Sequence, residues 1–339
     1  MEDIRLAQLT NWLNFVLEQQ PMDISVASAD ASFRRYFRVE SKGKTWIAMD
    51  APPDKEDCKP FIDVATAFHY KKMNVPEICA QDLEQGFLLL TDFGDVNYLD
   101  KLTNETADQL YGDAMQALLN LQVNPKPDNF TLPPYDKVLL DREIQLFPEW
   151  FLGKHLNISL DENETAGLSK IYDLLIENSL VQEQVWVHRD YHSRNLMLVE
   201  NNNPGVIDFQ DAVDGAITYD LVSLLRDCYI DWPIAKIEAW VDGYLKKLQK
   251  RKLCESVSSE TFLKWFDLMG VQRHLKVLGI FCRLNYRDGK SGYLDDLPRT
   301  LNYVKQVSAK YKELEMLNNV ITSHIMPKMN INQRTQTND

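Results

Sequence analysis

Glycine is scarce in this chain, 13 of 339 residues, or about 4% against roughly 7% in average proteins. A glycine-lined phosphate loop would therefore stand out, and none is present. Gly43-Lys44-Thr45 ends like such a loop, but the position five residues earlier, where the loop needs glycine, is Arg38, so a hairpin turn is the better reading. Positive charge is also short. The 37 basic against 50 acidic side chains leave a net charge of −13, the wrong sign for nucleic acid or an anionic membrane surface, which both recruit basic residues. Any anionic ligand must be held by local charge. The five cysteines, Cys58, Cys79, Cys228, Cys254 and Cys282, are odd in number and never form a Cys-x-x-Cys pair, so they read as free thiols in a reducing compartment. The six histidines show no zinc-ligand spacing, and neither His-Glu-x-x-His nor Gly-x-Ser-x-Gly occurs. No apolar run approaches the roughly 18 residues of a membrane span; GFLLL at 86–90 is the nearest. The N-terminus, MEDIRLAQLTNWLNFVLEQQ, is acidic at its start and apolar at helical spacing; it lacks the layout of a secretory signal and reads as a first helix. These absences point to a soluble, cytoplasmic protein with no nucleic-acid, membrane or obligate protein partner.

What is present is ample for a core: 45% hydrophobic and 10% aromatic residues over a length that suits two domains or one bilobal unit. FRRYFRV at 33–39 and TWIAM at 45–49 flank SKGK and predict a hairpin. A helix is expected over 58–73, then two short strands in VPEICAQD and GFLLLTDFGD. From about 99 onward the apolar period shifts to 3.6, predicting helices over 106–122, 142–156, 166–180, 236–250, 261–284 and 297–314. Short strand candidates lie at 185–188, 196–199 and 205–209, and 124–134 reads as a loop. The expected organisation is an α+β chain with an N-lobe over 1–95 of antiparallel strands, a mainly helical C-lobe over 96–326, and a tail, 327–339, too poor in apolar residues to order itself.

The chemistry concentrates in VHRDYHSRNLMLV at 187–199 and GVIDFQDA at 205–212. His188-Arg189-Asp190 with Asn195 fits H-R-D-x-x-x-x-N, in which the Asp accepts the acceptor hydroxyl's proton and the Asn holds Mg²⁺; Asp208 follows eighteen residues after Asp190. The pattern suits phosphoryl transfer, because Mg²⁺ takes hard oxygen ligands together with substrate phosphates. The expected assignments are Asp190 as base and Asn195 and Asp208 as metal ligands, with Mg²⁺ as cofactor and ATP as co-substrate. Asp92-Phe93-Gly94 spells the metal tripeptide of protein kinases, but it precedes the catalytic loop, so it reads as a loop after a strand.

Residues 187–228 and GFLLLTDFGD resemble the aminoglycoside phosphotransferase and choline kinase group. The resemblance implies a protein-kinase-like bilobal fold, a small antiparallel-sheet N-lobe on a mainly helical C-lobe. It also implies a small-molecule acceptor side that includes His192 and Arg194. Ala-Pro-Glu and an activation segment, which serve peptide substrates, are missing. Asp220, in TYDLVSLLRD, matches the group's helix start after the metal Asp, where a carboxylate can cap backbone N–H groups. Along roughly 12–305, ADASFRRYFRV, AMDAPPDKEDCKPF, LDREIQLFPEWFL and VQRHLKVLGIFCRLNYRDGKSGYLDDLPRTL resemble the bacterial anomeric N-acetylmuramate/N-acetylglucosamine kinases of cell-wall recycling. That narrower likeness implies phosphorylation of the sugar's C1 hydroxyl.

The chain departs from kinases at the third strand, where the phosphate-binding lysine is replaced by Met49. Another cation must serve, and Arg34 or Arg35 is expected to do so. Strand alternation sends Arg34 and Arg38 to one face and Arg35 to the other. The glycine-free loop Ser28–Ser32 and the following Phe33 are expected to meet phosphate through backbone N–H groups, with Ala29, Ala31 and Ser32 small enough to permit approach. Backbone atoms between Leu90 and Phe93, including Asp92, are expected to hold the adenine. For the sugar, Arg273, Lys276, Arg283 and Arg287 fall near one helical stripe, either an acid-sugar site or a solvated basic face. Glu149 and Trp150 offer a sugar platform or a core aromatic. Two other readings stay open: a kinase for an amino alcohol or aminoglycoside, and a catalytically silent nucleotide or sugar sensor.

Overall fold

A computed structural model describes residues 3–18, 23–29 and 33–329. One compact unit runs to Thr131 and takes in Arg194–Asp211; the other comprises Leu132–Ser193 and the chain from Ala212 on. Among the described residues, no helix is long and apolar enough to cross a membrane.

The first unit holds a five-stranded antiparallel sheet in the order β1-β2-β3-β5-β4, formed by β1 (Asp23–Ala29), β2 (Arg35–Ser41), β3 (Lys44–Asp50), β4 (Ile78–Asp82) and β5 (Phe87–Thr91). The predicted hairpin is there, closed by Lys42 and Gly43 at φ 49° and 72°. Two left-handed residues in a row make the turn whose twist matches its strands. Strand alternation sends Phe37, Val39, Ala48 and Leu89 into a cluster with Leu9, Trp12 and Leu13 of helix α1 (Ile4–Val16). Asp50, fully buried at the end of β3, accepts from Arg5 (3.1 Å) and Arg35 (3.0 Å), tying α1 to the strands. Helix α2 (Lys59–Tyr70) carries Phe61 and Phe68 against Phe209, with ring centroids 4.8 and 5.9 Å apart.

The expected lobe boundary at 95/96 does not coincide with the edge of this unit. Helix α3 (Ala107–Val123) and the small hairpin β7 (Leu196–Met197) and β8 (Gly205–Val206) belong to it, the hairpin through its backbone bonds and α3 through the side chain of Asp113. Leu198 N–H donates to Val96 (2.9 Å), Val206 N–H to Asn74 (2.7 Å), and the Asn203 amide to the Tyr98 hydroxyl (2.7 Å) and Asp113 (3.0 Å).

The second unit contains α4 (Lys137–Ile144), α5 (Glu162–Leu180), α6 (Tyr219–Leu225), α7 (Ile234–Lys250), α8 (Ser259–Asp288), α9 (Leu297–Lys310) and α10 (Glu315–Val320), with strands β6 (Gln184–Val187) and β9 (Val213–Ala216) paired antiparallel. Helix α8 begins on a Ser258 cap that accepts from Thr261 N–H (3.1 Å) and ends at left-handed Gly289. It is buried on every side from Phe266 to Leu278. Such a helix forms the centre of a unit rather than its surface. Gly279 permits the closest crossing, since a Cβ there would lie 2.4 Å from the Leu146 carbonyl.

The structure corrects three expectations. The helix predicted over 142–156 is two elements: α4 stops at Ile144, and Phe147–His155 forms a wider π-helical segment. Pro148 has no N–H to give the Ile144 carbonyl, so the regular ladder fails at that point. Asp208 does not lie on a strand, because β8 ends at Val206. The tail is ordered as far as Met329, helped by Lys328, whose amine donates to the carbonyls of Leu156 (2.9 Å) and Asn157 (2.8 Å); 330–339 lie outside the described residues.

Candidate active site

The H-R-D-x-x-x-x-N residues fall on both compact units, Asp190 on the second and Asn195 and Asp208 on the first.

In the second unit, β6 delivers His188–Ser193, and three carboxylates grip this loop. Asp220, fully buried at the start of α6, accepts the N–H groups of His188 (2.7 Å) and Arg189 (3.0 Å). It therefore clamps the 188–193 loop, where the sequence suggested a helix cap. Burial pushes its carboxyl up to about 7 against the pull of these two donors. Arg189 adopts φ 78°, the left-handed region that costs a side-chain-bearing residue energy and persists where surrounding bonds over-determine it. Asp227 accepts the N–H (2.9 Å) and hydroxyl of Ser193 and the N–H of Tyr229 (3.1 Å), joining the loop to 227–229. His192 sends its N–H to the Asp190 carbonyl (3.0 Å) and meets the Tyr229 ring edge-on at 5.4 Å.

The third carboxylate is Glu143 of α4, buried and missed by sequence reasoning although it lies within LDREIQLFPEWFL. It accepts from Arg189 and from the Tyr135 hydroxyl, and it pairs with Lys276 of α8 at 3.0 Å; Lys276 also donates to the Tyr219 hydroxyl (3.1 Å). The one available signal was a charged residue on the apolar side of a periodic segment. Burial raises the Glu143 carboxyl, but Lys276 and Arg189 outweigh it and leave it below its usual value. Asp190 behaves alike: burial pushes it up, and the charges of Lys276, His192, Arg273 and Arg189 together hold it below the usual carboxylate range. A half-buried carboxylate kept ionised on this loop can accept a proton or orient a hydroxyl.

In the first unit, Asp208 adopts φ 64° just past β8. Its carboxylate accepts from the Asn195 amide (3.2 Å) and the Gln210 amide (2.8 Å), and Ile207 N–H donates to the Asn195 carbonyl (3.1 Å). Asn195 and Asp208 are thus brought together, as the motif predicts. No group of three His, Cys, Asp or Glu side chains gathers as a metal site among the described residues. One carboxylate beside one amide fits Mg²⁺, which takes hard oxygens and draws its remaining ligands from water and phosphate.

All three arginines of FRRYFRV are ion-paired. Arg34 binds Glu56 (3.1 Å), which also accepts Phe33 N–H (3.2 Å); Arg35 binds Asp50 and Asp3; Arg38 binds Asp92 (2.7 Å). Both candidate phosphate ligands are therefore held by carboxylates, Arg34 by Glu56 and Arg35 by Asp50 and Asp3. Ser28 lies within β1, paired with Tyr36, and does not open a loop; Ala31 and Ser32 lie outside the described residues. Leu90 is inside the ladder, paired with Ile47 and Ile78, whereas Asp92 and Phe93 lie past the strand end. Phe93 packs on Gly205, where a Cβ would come within 2.6 Å of its ring.

The basic stripe on α8 divides. Arg273 and Lys276 are buried, Arg283 is half-buried with its guanidinium's proton affinity lowered by burial and by Arg287, and Arg287 is exposed on Asp288 (2.7 Å). Exposed Glu149 and half-buried Trp150 lie on the π-helical segment, and Arg194 is exposed on the first unit.

Fold and site together define a kinase-like phosphotransferase of small-molecule type. Residues 23–254 match the description "Phosphotransferase enzyme family". The chain belongs to that family. It is 45% identical over 333 residues to the N-acetylmuramate/N-acetylglucosamine kinase of Pseudomonas aeruginosa, covering 95% of this chain and 97% of that protein. Among solved structures it is similar to an ADP-bound aminoglycoside phosphotransferase (TM-score 0.59, 15% identity, 89% of this chain and 98% of that one). The choline kinase of Streptococcus pneumoniae gives a TM-score of 0.61 at 11% identity, covering 90% and 99%. These likenesses show a protein-kinase-like α+β fold.

Proposed function

We propose that this protein is a cytoplasmic ATP- and Mg²⁺-dependent kinase that phosphorylates the anomeric C1 hydroxyl of N-acetylmuramate and N-acetylglucosamine, giving the sugar 1-phosphate for peptidoglycan recycling. The near full-length identity to a kinase of that name supports the substrate class, and the observation that carries the chemistry is Asp190 held ionised on a loop gripped by Asp220, Asp227 and Glu143. Asp190 orients the C1 hydroxyl and takes its proton as the oxygen bonds to the γ-phosphorus and the bond to ADP breaks. An anomeric hydroxyl is more acidic than an ordinary alcohol, so a carboxylate of lowered basicity suffices. Asn195 and Asp208 would hold Mg²⁺, which when bound neutralises charge on the phosphates. Arg34, fixed by Glu56, takes the part of the missing lysine beside the phosphates, and the backbone of Asp92 and Phe93 holds the adenine. His192, Arg194, Glu149, Trp150 and Arg283 are the remaining sugar-side candidates.

The test is to incubate purified protein with Mg-ATP and N-acetylmuramate, N-acetylglucosamine, choline or an aminoglycoside, and to follow products by phosphorus NMR. A sugar 1-phosphate is expected. A 6-phosphate would overturn the anomeric assignment, and absence of product from every acceptor would overturn the kinase reading.

A further inference from the structure

Three of the buried or half-buried cations near the catalytic loop or on the neighbouring helices are paired with a carboxylate. Arg189 and Lys276 share Glu143, and Arg226 binds Asp267 at 2.5 Å. Arg273 does not. It is 4% exposed on α8, yet no ion pair joins it to a carboxylate among the described residues. Its one hydrogen bond is from Nη1 to the Cys228 thiol at 3.9 Å, a weak acceptor, and its Nε is buried without a partner. Burying a guanidinium with its Nε unmet and only a thiol for Nη1 is costly unless an anion arrives to meet it.

The position of Arg273 suggests which anion. Cys228 lies between Asp227, which fixes Ser193 of the catalytic loop, and Tyr229, whose ring meets His192. Arg273 is near enough for its charge to act on the Asp190 carboxyl. The two sugars of the proposed reaction differ at one place: N-acetylmuramate carries a lactyl ether ending in a carboxylate, and N-acetylglucosamine a plain hydroxyl. We infer that Arg273 receives the lactyl carboxylate of the acidic sugar and thereby sets the preference between the two substrates. This rests on the function proposed above. The planar guanidinium fork matches a carboxylate with two parallel donors.

The experiment measures kcat/KM for both sugars in the wild-type protein and in Arg273→Gln and Arg273→Lys. Arg273→Gln should lower kcat/KM for N-acetylmuramate about tenfold to a hundredfold more than for N-acetylglucosamine, the range expected for a lost charge-assisted bond. Arg273→Lys, which keeps the charge without the fork, should fall between. An equal loss on both sugars would overturn the inference, since it would put Arg273 on the phosphoryl group or in the fold alone. Should Arg273→Gln fail to fold, Arg273→Lys decides, and an unchanged sugar preference there is equally contrary. Failure of the wild-type protein on both sugars would instead remove the parent reading.

Discussion

Replacing Glu143 by Gln keeps the shape of the side chain and removes its charge, which leaves the half-buried Arg189 and the buried Lys276 facing a neutral amide. Both Glu143 and Lys276 are under a tenth exposed, so solvent screens little of the loss. Removing one member of a buried pair costs about 3–5 kcal/mol, and that cost should appear in urea unfolding at pH 7.5 followed by tryptophan fluorescence. Adding Lys276→Met removes one of the stranded cations, so the double variant should recover part of the loss, with a coupling of about 0.5–3 kcal/mol. The pH sign agrees. The Glu143 carboxyl lies lower in the folded protein than its ordinary 4.5, so its stabilisation is present above that value and is lost as pH falls through the lowered folded value. A cost below about 1 kcal/mol for Glu143→Gln, or single effects that simply add, would refute the idea that Glu143 is the electrostatic hub of this unit.

His274 is buried, donates from Nε2 to the Arg226 carbonyl (2.9 Å) and stacks on Tyr303, and burial pushes its imidazole down to about 3. The unfolded chain takes up a proton near 6.5 that the folded chain refuses, so stability falls as pH drops; between pH 7.5 and 5.5 the wild type should lose about 1.4 kcal/mol more than His274→Gln, read from denaturation at both values. Gly279→Ala gains about 1 kcal/mol of helix propensity but drives a methyl into the Leu146 backbone; overpacking costs about 1–3 kcal/mol, so the thermal midpoint should fall, and a rise would show that α8 and the π-helical segment separate easily.

Much of the site's chemistry was legible because it depends on residue type at fixed local spacing. Lys42-Gly43 announced its turn, and Asn195 and Asp208 meet as the motif requires. Strands β1 and β9 were not legible, since DISVASA and VDGA carry little apolar alternation and take their strand form from pairing with β2 and β6. Pro148 was visible, but its effect on the Ile144 ladder was overridden in reading by the apolar period around it. Glu143 and Asp227 act on the loop from 46 and 34 residues away; a carboxylate's partner at that distance is set by how helices pack, which no local pattern encodes. The same limit hid the split of the α8 stripe, because a helical wheel assigns residues to faces without saying which face is covered.

The most direct measurement is turnover by Asp190→Asn, which preserves the side chain's shape and removes its basicity. Sugar phosphorylation should fall about 10²–10⁴-fold, the usual contribution of a positioned base, while Mg-ATP affinity by titration calorimetry stays within a few fold of wild type. Turnover near the wild-type rate in that variant would contradict the assignment of Asp190 as the base.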